Sequence, residues 1–165
     1  MQTPDFRTPA RIAAAAIEDV IRKDLTETGV LIAPDGVVFL KRQGRPDKVA
    51  FPHKELQRAG GMTFTHNHPN GYAHSLQDVR LSVHYRFHEV RVVTPDFRHI
   101  ASMLKQEHMG PILRSFARVE KSTLDAVQDE VRRGLVNPFD FGKEVRHRTW
   151  QRLSAQIGFD YRRQP

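Results

Sequence analysis

The 165-residue chain changes its sequence pattern at Pro111, and this change limits the folds it can adopt. Before Pro111, short stretches of β-forming residues alternate with helical stretches, and Pro, Gly and Asn turn signals separate them. After Pro111, apolar residues recur at helical spacing. The pattern predicts an α+β fold with α/β-like order: a mixed β-sheet flanked by helices, followed by a helical C-terminal region.

The individual elements follow from caps, turns and periodicity. After a polar lead-in, a helix capped by Thr8 is predicted to run to about Lys23, and a last helix covers Gly142–Ile157 and ends at Gly158. A short helix follows Pro52, a longer one follows Ser75, and the helical pattern after Pro111 is interrupted around residues 120–121. Strands are predicted at residues 27–33, 37–41, 48–51, 62–65, 89–94 and 98–104, the first two as a hairpin.

Cysteine is absent from the sequence. Disulfides, thiolate zinc sites, iron–sulfur clusters and cysteine nucleophiles are therefore excluded, and His, Asp and Glu are left as the metal ligands. No run approaches the roughly 18 apolar residues of a membrane-spanning helix. The N-terminal stretch lacks the pattern of a secretory signal, so we expect a cytoplasmic protein or a domain delivered as an effector.

The chain is basic, with 26 Lys and Arg against 19 Asp and Glu and a net charge of +7. A basic surface favours anionic partners such as nucleic acid without specifying one. The densest basic segment is Lys143–Arg163. A solvated helix face with a tail is the favoured interpretation of this segment over a dedicated nucleic-acid site.

The segment from Thr65 to Asp78 carries the chemistry. His66 and His68 are separated by one residue at the end of a strand, so their imidazoles point to the same side. Asp78 lies one turn into the following helix, where its carboxylate can reach the same ion. Two His, one Asp and an open fourth position are typical of a catalytic zinc site. Ser75 and Asp78 also match a helix capping box, which needs no metal, and the pattern leaves both interpretations open.

Five other histidines within residues 1–110 are isolated in sequence. Each is predicted to be a surface or partly buried residue rather than a ligand: His74, His84, His88, His99 and His108. His53, upstream of the motif, is a weaker candidate for the site.

The segment resembles the JAB/MPN (JAMM) metalloprotease family, whose signature joins an early Glu to His-x-His-Pro and Ser-x-x-Asp blocks. Residues 66–69 and 75–78 match both blocks. The spacer, residues 70–74, is one residue shorter than usual, as in the JAB-related domains of phage head-morphogenesis proteins and bacterial polymorphic toxins. The resemblance covers roughly residues 10–104. It implies a JAB/MPN-like metal-binding domain over residues 1–110. The resemblance does not explain residues 111–165, which are predicted to form a helical C-terminal extension packed on that domain.

The resemblance also implies roles for individual residues. His66, His68 and Asp78 would bind Zn²⁺, and Ser75 would hold the oxyanion of the tetrahedral intermediate. Glu27 would act as general base, taking a proton from the attacking water and returning it to the leaving amine. Glu55, on the short helix, is the reserve candidate for the base. Gly29, two residues after Glu27 on the same strand face, would leave room for substrate.

The sequence therefore leaves three candidate functions. The first is a zinc-dependent metallopeptidase or isopeptidase that cleaves an amide or isopeptide bond in a protein or peptide, as a toxin, effector or phage-associated domain. The second is a JAB-like binding module that has lost catalysis, which the short spacer and the loosely placed Glu27 favour. The third is a nucleic-acid-directed basic effector, although its aromatic and basic residues are not interleaved as in a base-stacking platform.

Overall fold

The computed structural model describes residues 8–165 and contains a six-stranded mixed sheet flanked by helices. The polar lead-in predicted at the start of the chain lies, except for Thr8, outside these residues. The strands are β1 (Thr28–Ile32), β2 (Val38–Gln43), β3 (Thr63–Asn67), β4 (Glu89–Val93), β5 (Arg98–Ser102) and β6 (Asp160–Gln164). The helices are α1 (Pro9–Ile21), α2 (His53–Leu56), α3 (Leu76–His84), α4 (Gln106–Arg132) and α5 (Phe141–Ile157), with a 3-10 turn at Pro138–Asp140. The predicted α+β class is confirmed.

The strand that carries the two histidines lies in the interior of the sheet. The strand order is β2-β1-β3-β4-β5-β6, and β3 pairs antiparallel with β1 and parallel with β4. The remaining neighbours pair antiparallel, including the predicted hairpin of β1 and β2. Pairing on both edges fixes the backbone of β3, so the side chains at its carboxyl end start from a rigid position.

Helix α1 covers one face of the sheet. The Thr8 side chain accepts a hydrogen bond from the backbone N–H of Arg11, and Pro9 occupies the first helical position, as predicted. Below the helix, the Glu18 carboxylate accepts hydrogen bonds from the Thr65 hydroxyl at 2.8 Å and from Arg91 at 2.6 Å. Glu18 and Arg91 are fully buried, and Glu18 also pairs with Arg98 and Arg91 with Glu89, so both buried charges are compensated.

The other face of the sheet packs against α3, α4 and α5 and forms the main apolar core. Phe64 of β3 and Val90 of β4 project into it, as do Trp150 and Leu153 of α5. Since side chains alternate along a strand, Phe64 and His66 share this face, and the metal-ligand candidates lie at its rim. None of the helices in residues 8–165 combines the length and apolar character that crossing a membrane requires.

Three details of the predicted elements are wrong. The strand predicted at residues 48–51 is absent, because only an isolated bridge joins Arg45 to Lys48. Helix α4 runs unbroken through residues 120–121, and it begins at Gln106, so that Pro111 lies in its second turn. The end of the chain, interpreted as a tail, forms β6 beside β5. The division at residues 110 and 111 stays a prediction, and both of these residues lie within α4.

Candidate metal centre

Three side chains converge at the carboxyl end of β3. The Nε2 atoms of His66 and His68 are 3.0 Å apart, so the two rings point to one place as predicted. Asp78 Oδ1 lies 3.2 Å from His66 Nε2, and Asp78 Oδ2 lies 3.7 Å from His68 Nε2. The candidate ligand atoms of these residues all lie within 4.8 Å of one another. The group could therefore hold a metal ion.

The distances between the candidate ligand atoms can be compared with the distances between the ligands of a bound zinc ion. Ligand nitrogens about 2.0–2.1 Å from a tetrahedral zinc lie about 3.3 Å from their neighbours. The two separations from His66 Nε2, 3.0 Å and 3.2 Å, are close to that value, and the separation between Asp78 and His68 is wider. Two imidazole nitrogens and a carboxylate oxygen are also ligand types that zinc takes. The residues thus fit the ion that the motif implies.

Asp78 serves the helix start as well as the cluster. Its Oδ2 accepts hydrogen bonds from the backbone N–H of Ser75 at 2.6 Å and from the Ser75 hydroxyl at 2.8 Å. The Asp78 backbone N–H returns a bond to the Ser75 oxygen, which completes the capping box of α3. The capping and metal interpretations are therefore compatible in geometry, because the other carboxylate oxygen faces His66.

The ring of His68 is oriented by the loop that follows it. Its Nδ1 donates to the backbone carbonyl of Tyr72 at 2.9 Å. This bond places the ring proton on Nδ1, so Nε2 presents a lone pair to the cluster. The loop returns to this position because Gly71, at φ 83°, takes the left-handed conformation that glycine tolerates.

The surroundings of the cluster keep the Asp78 carboxylate negatively charged and shift the pKa values of the two histidines in opposite directions. Burial works against charge on His66, but Asp78, together with Glu27, outweighs it, and the pKa of His66 is raised. Burial and the neighbouring His66 lower the pKa of His68 to about 4, so this ring is neutral at pH 7. Burial opposes ionisation of Asp78, yet His66 holds the pKa of Asp78 well below its ordinary value. The carboxylate is therefore charged and available to a cation.

Glu27 immediately precedes β1 and lies beside the cluster. Its Oε1 is 3.9 Å from His68 Nε2, and the residue is 8% exposed, so it does not point into bulk solvent. Burial raises the pKa of Glu27 above its ordinary value, with His66 opposing the shift. A carboxylate with a raised pKa is better suited to accepting a proton than a fully solvated one.

Asn67, between the two histidines, fixes the backbone around Glu27. Its Oδ1 accepts from the backbone N–H of Thr28 at 2.6 Å, and its Nδ2 donates to the carbonyl of Thr26 at 3.0 Å. Both neighbours of Glu27 are thus tied to the strand that carries His66. Asn67 is almost fully buried, on the opposite side of β3 from the histidines.

A cavity of about 610 Å³ opens at the cluster. Glu27, Ser75 and all three candidate ligands line it, together with apolar residues that include Phe51 and Val49. The room expected beside Gly29 is filled, because a Cβ there would be 2.8 Å from the Phe51 ring. The open space lies instead between the segment around Phe51 and the loop after His68.

The other residues considered from the sequence lie elsewhere. Glu55 pairs with Arg42 at 3.5 Å and does not line the cavity. His53 contacts the Tyr85 hydroxyl at 2.6 Å, away from the cluster. His74 is fully buried and contacts the Val90 carbonyl at 3.0 Å. His99 contacts the hydroxyl of Tyr161 inside the protein at 2.9 Å, and the same hydroxyl lies 3.0 Å from His147, which the sequence did not single out.

Sequence reasoning missed Arg146. This residue lies 68 positions after Asp78 in the chain, yet it lines the same cavity because α5 packs beside the motif loop, where Arg146 and Trp150 both contact the His74 carbonyl. Its only sequence signal was membership of the basic segment 143–163, which says nothing about the face it occupies. The contact between α5 and the loop is a long-range one, and no local pattern encodes it.

No family model, curated protein or solved structure matches the chain. The relation to the JAB/MPN family therefore stays a resemblance of the motif residues.

Proposed function

We propose that the protein is a zinc-dependent hydrolase that cleaves an amide or isopeptide bond in a protein or peptide. The observation that carries the proposal is the convergence of His66, His68 and Asp78, with the Glu27 carboxylate 3.9 Å from the same His68 nitrogen. An acid–base group next to three metal ligands in an open cavity is the arrangement that metal-assisted hydrolysis needs.

Zinc is the metal that this ligand set favours. Sites built only of carboxylates and carbonyls suit Mg²⁺ and Ca²⁺, whereas two imidazoles with one carboxylate suit zinc and leave a position for a further ligand. A zinc ion there would activate water as the nucleophile and polarise the carbonyl of the scissile bond. His68, oriented through Tyr72, and Asp78, fixed by the α3 cap, would hold the ion without rearranging the backbone.

Glu27 would move the proton. It is buried, its pKa is raised and its neighbours are tied down by Asn67, so the carboxylate is kept beside the reacting position. We assign it the role of general base towards water and of acid towards the leaving amine. Ser75 would donate a hydrogen bond to the oxyanion, which requires its hydroxyl proton to turn from Asp78 towards the substrate.

A second candidate is a JAB-like module that binds metal and a protein partner without cleaving it. The observation that favours it is the Ser75 hydroxyl, which already donates its hydrogen bond to Asp78. A toxin, effector or phage-associated setting is proposed for either candidate from the resemblance. A nucleic-acid-directed effector is the third proposal and has only the net charge of +7 in its favour.

The test begins with metal. Purified protein is analysed for zinc, and close to one equivalent per chain is expected. Zinc-loaded protein is then incubated with a peptide library and with isopeptide-linked conjugates, and products are identified by mass spectrometry. We expect Glu27→Gln to keep zinc and to lower the cleavage rate by roughly 10²–10⁴-fold, the usual contribution of a general acid or base.

Glu55→Gln is the matched control, because Glu55 lies outside the cavity and should leave both zinc and rate unchanged. Stoichiometric zinc with no cleavage of any substrate would favour the binding module. Absence of zinc would overturn the hydrolase proposal.

A further inference from the structure

We infer that Arg146 is a specificity-determining residue that binds a carboxylate of the substrate next to the bond to be cleaved. The inference rests on the proposed hydrolase function and adds a substrate class to it: peptides or amides that carry a free carboxylate near the scissile bond. Nothing in the motif predicts this residue, because it comes from α5 in the helical C-terminal region.

Arg146 lies at the α3 end of the cavity. It lines the cavity with the metal-ligand candidates, and its Nη1 is 3.4 Å from the backbone carbonyl of His74. His74 immediately precedes Ser75, the residue that caps α3 above Asp78. The guanidinium is therefore adjacent to the Ser75 side of the site, whereas Glu27 approaches from the β1 side.

The guanidinium is held in place but its hydrogen-bonding capacity is not used up. The Phe116 ring of α4 lies under it, with the ring centroid 5.8 Å from the central carbon. Its ionic contact with Glu120 is long, at 3.6 Å, and its buried Nε has no hydrogen-bond partner among residues 8–165. An Arg side chain has five N–H donors, so this one retains donors for a planar anion.

The other cation of the cavity is less suited to the role. Lys48 also lines it, but Lys48 is exposed and lies on the loop that follows β2. An exposed lysine on a loop loses more side-chain freedom when it binds, and its ammonium cannot form the paired bonds that a carboxylate accepts from arginine. Lys48 therefore provides the matched control for Arg146.

The acidic lining of the cavity gives the positive charge of Arg146 a function. Asp47, Glu27 and Asp78 line the cavity and repel anions, so a substrate carboxylate needs a fixed cation to enter there. Arg146 supplies that cation beside the cap of α3. A substrate anchored in this way would present its amide between the guanidinium and the three candidate ligands.

The test measures binding and does not depend on turnover. Three small probes of similar size are used: N-acetyl-diglycine, its C-terminal amide, and N-acetyl-aspartyl-glycinamide. Their dissociation constants are measured by NMR titration against wild type, Arg146→Gln, Arg146→Lys and Lys48→Gln, each after its zinc content and circular dichroism spectrum have been recorded. The first probe carries a chain-end carboxylate, and the third carries a side-chain carboxylate.

We expect wild type to prefer at least one of the two carboxylates to the amide by about tenfold or more, as charge-assisted hydrogen bonds do. Arg146→Gln should abolish the preference, Arg146→Lys should reduce it, and Lys48→Gln should keep it. Whichever carboxylate probe binds better identifies a chain end or an acidic side chain as the source.

Two results would overturn the inference. One is wild type without preference for either carboxylate. The other is a preference that survives in Arg146→Gln or, if that variant does not fold, is undiminished in Arg146→Lys. Should the protein contain no zinc, the proposed hydrolase fails on that measurement alone, and the same titrations on metal-free protein decide whether Arg146 recognises a carboxylate.

Discussion

The Nδ1 atom of His68 lies 2.9 Å from the backbone carbonyl of Tyr72, and this contact ties a candidate metal ligand to the helical C-terminal region. The link runs through the Tyr72 side chain, which packs on the first turn of α5. A Cβ at Gly142 would be 2.3 Å from the Tyr72 hydroxyl oxygen, so a larger residue there would displace the outer end of this exposed ring. We expect displacement of the Tyr72 ring to move the carbonyl that orients His68, which would link the His68 ring to a residue of α5.

We predict that Gly142→Ala weakens zinc binding by about tenfold or more, although alanine is the better helix former. The displaced Tyr72 would shift the carbonyl that orients His68, and losing such an outer contact typically costs 10–100-fold in affinity. Isothermal titration calorimetry with zinc measures the effect. In the double variant with Tyr72→Phe, which lacks the clashing hydroxyl, affinity should partly return. Unchanged affinity in Gly142→Ala would show that the loop adapts freely.

His66→Ala and His68→Ala should each remove zinc while the domain stays folded. His68 lies just beyond the end of β3, so its loss leaves the sheet pairing intact. The His66 ring stacks on Phe64 with centroids 4.7 Å apart, so its removal should also lower the free energy of unfolding, by roughly 1–3 kcal/mol. Metal analysis and urea denaturation followed by circular dichroism test both statements. His88→Ala, at an exposed position, is the control.

Asp78→Asn should separate the two roles of Asp78. An amide oxygen can still accept the hydrogen bond from the Ser75 backbone, so α3 keeps its cap. The negative charge that a dication needs is lost, so zinc affinity should fall by more than the 10–100-fold typical of an outer contact. Zinc titration and thermal unfolding are measured together. A large drop in melting temperature with unchanged zinc affinity would favour capping as the main role of Asp78.

Stability of the metal-free protein should fall as pH drops below about 6.5. Burial lowers the pKa of His99 to about 2 and that of His147 to about 4, while the unfolded chain keeps ordinary values. Between pH 6.5 and 4 the unfolded state therefore binds protons that the folded state does not. Each histidine contributes a loss of up to about 1.4 kcal/mol per pH unit in this window, and stability is complete above it.

His147→Asn removes one of these titrating groups but keeps a polar atom near the Tyr161 hydroxyl. Urea unfolding at pH 7, 6, 5 and 4 should therefore show a shallower pH dependence for this variant than for wild type. His88→Asn should match wild type, because His88 is exposed. Equal slopes for His147→Asn and wild type would mean that His147 takes up a proton in the folded state.

Local signals were enough to predict the parts of the fold that local chemistry determines. Thr8 and Pro9 start α1, Gly158 at φ 97° ends α5, and the turn signals around Gly36 separate the two strands of the hairpin. The convergence of His66 and His68 also followed from strand alternation alone.

The parts that were missed depend on contacts between distant segments. The sequence of β6 is typical of a basic tail, and the segment is a strand because it pairs with β5. In α4, Pro111 lacks one N–H, but packing of Ile112 and Phe116 in the core keeps the helix continuous. Arg146 could not be assigned to the cavity because nothing near it in sequence indicates which face of α5 meets the motif loop.

The pairing of β5 with β6 has a consequence for how the chain reaches its folded state. Ser102 and Asp160 face each other across neighbouring strands although they are 58 residues apart in sequence, and helices α4 and α5 occupy the interval. Closing so long a loop without intervening structure is entropically unfavourable, whereas an antiparallel helix pair brings the two strands together first. Docking of α4 on α5 should thus come early in folding, and the last sheet edge should form late. Since Arg146 and Gly142 both belong to α5, the cavity would be assembled only after that docking.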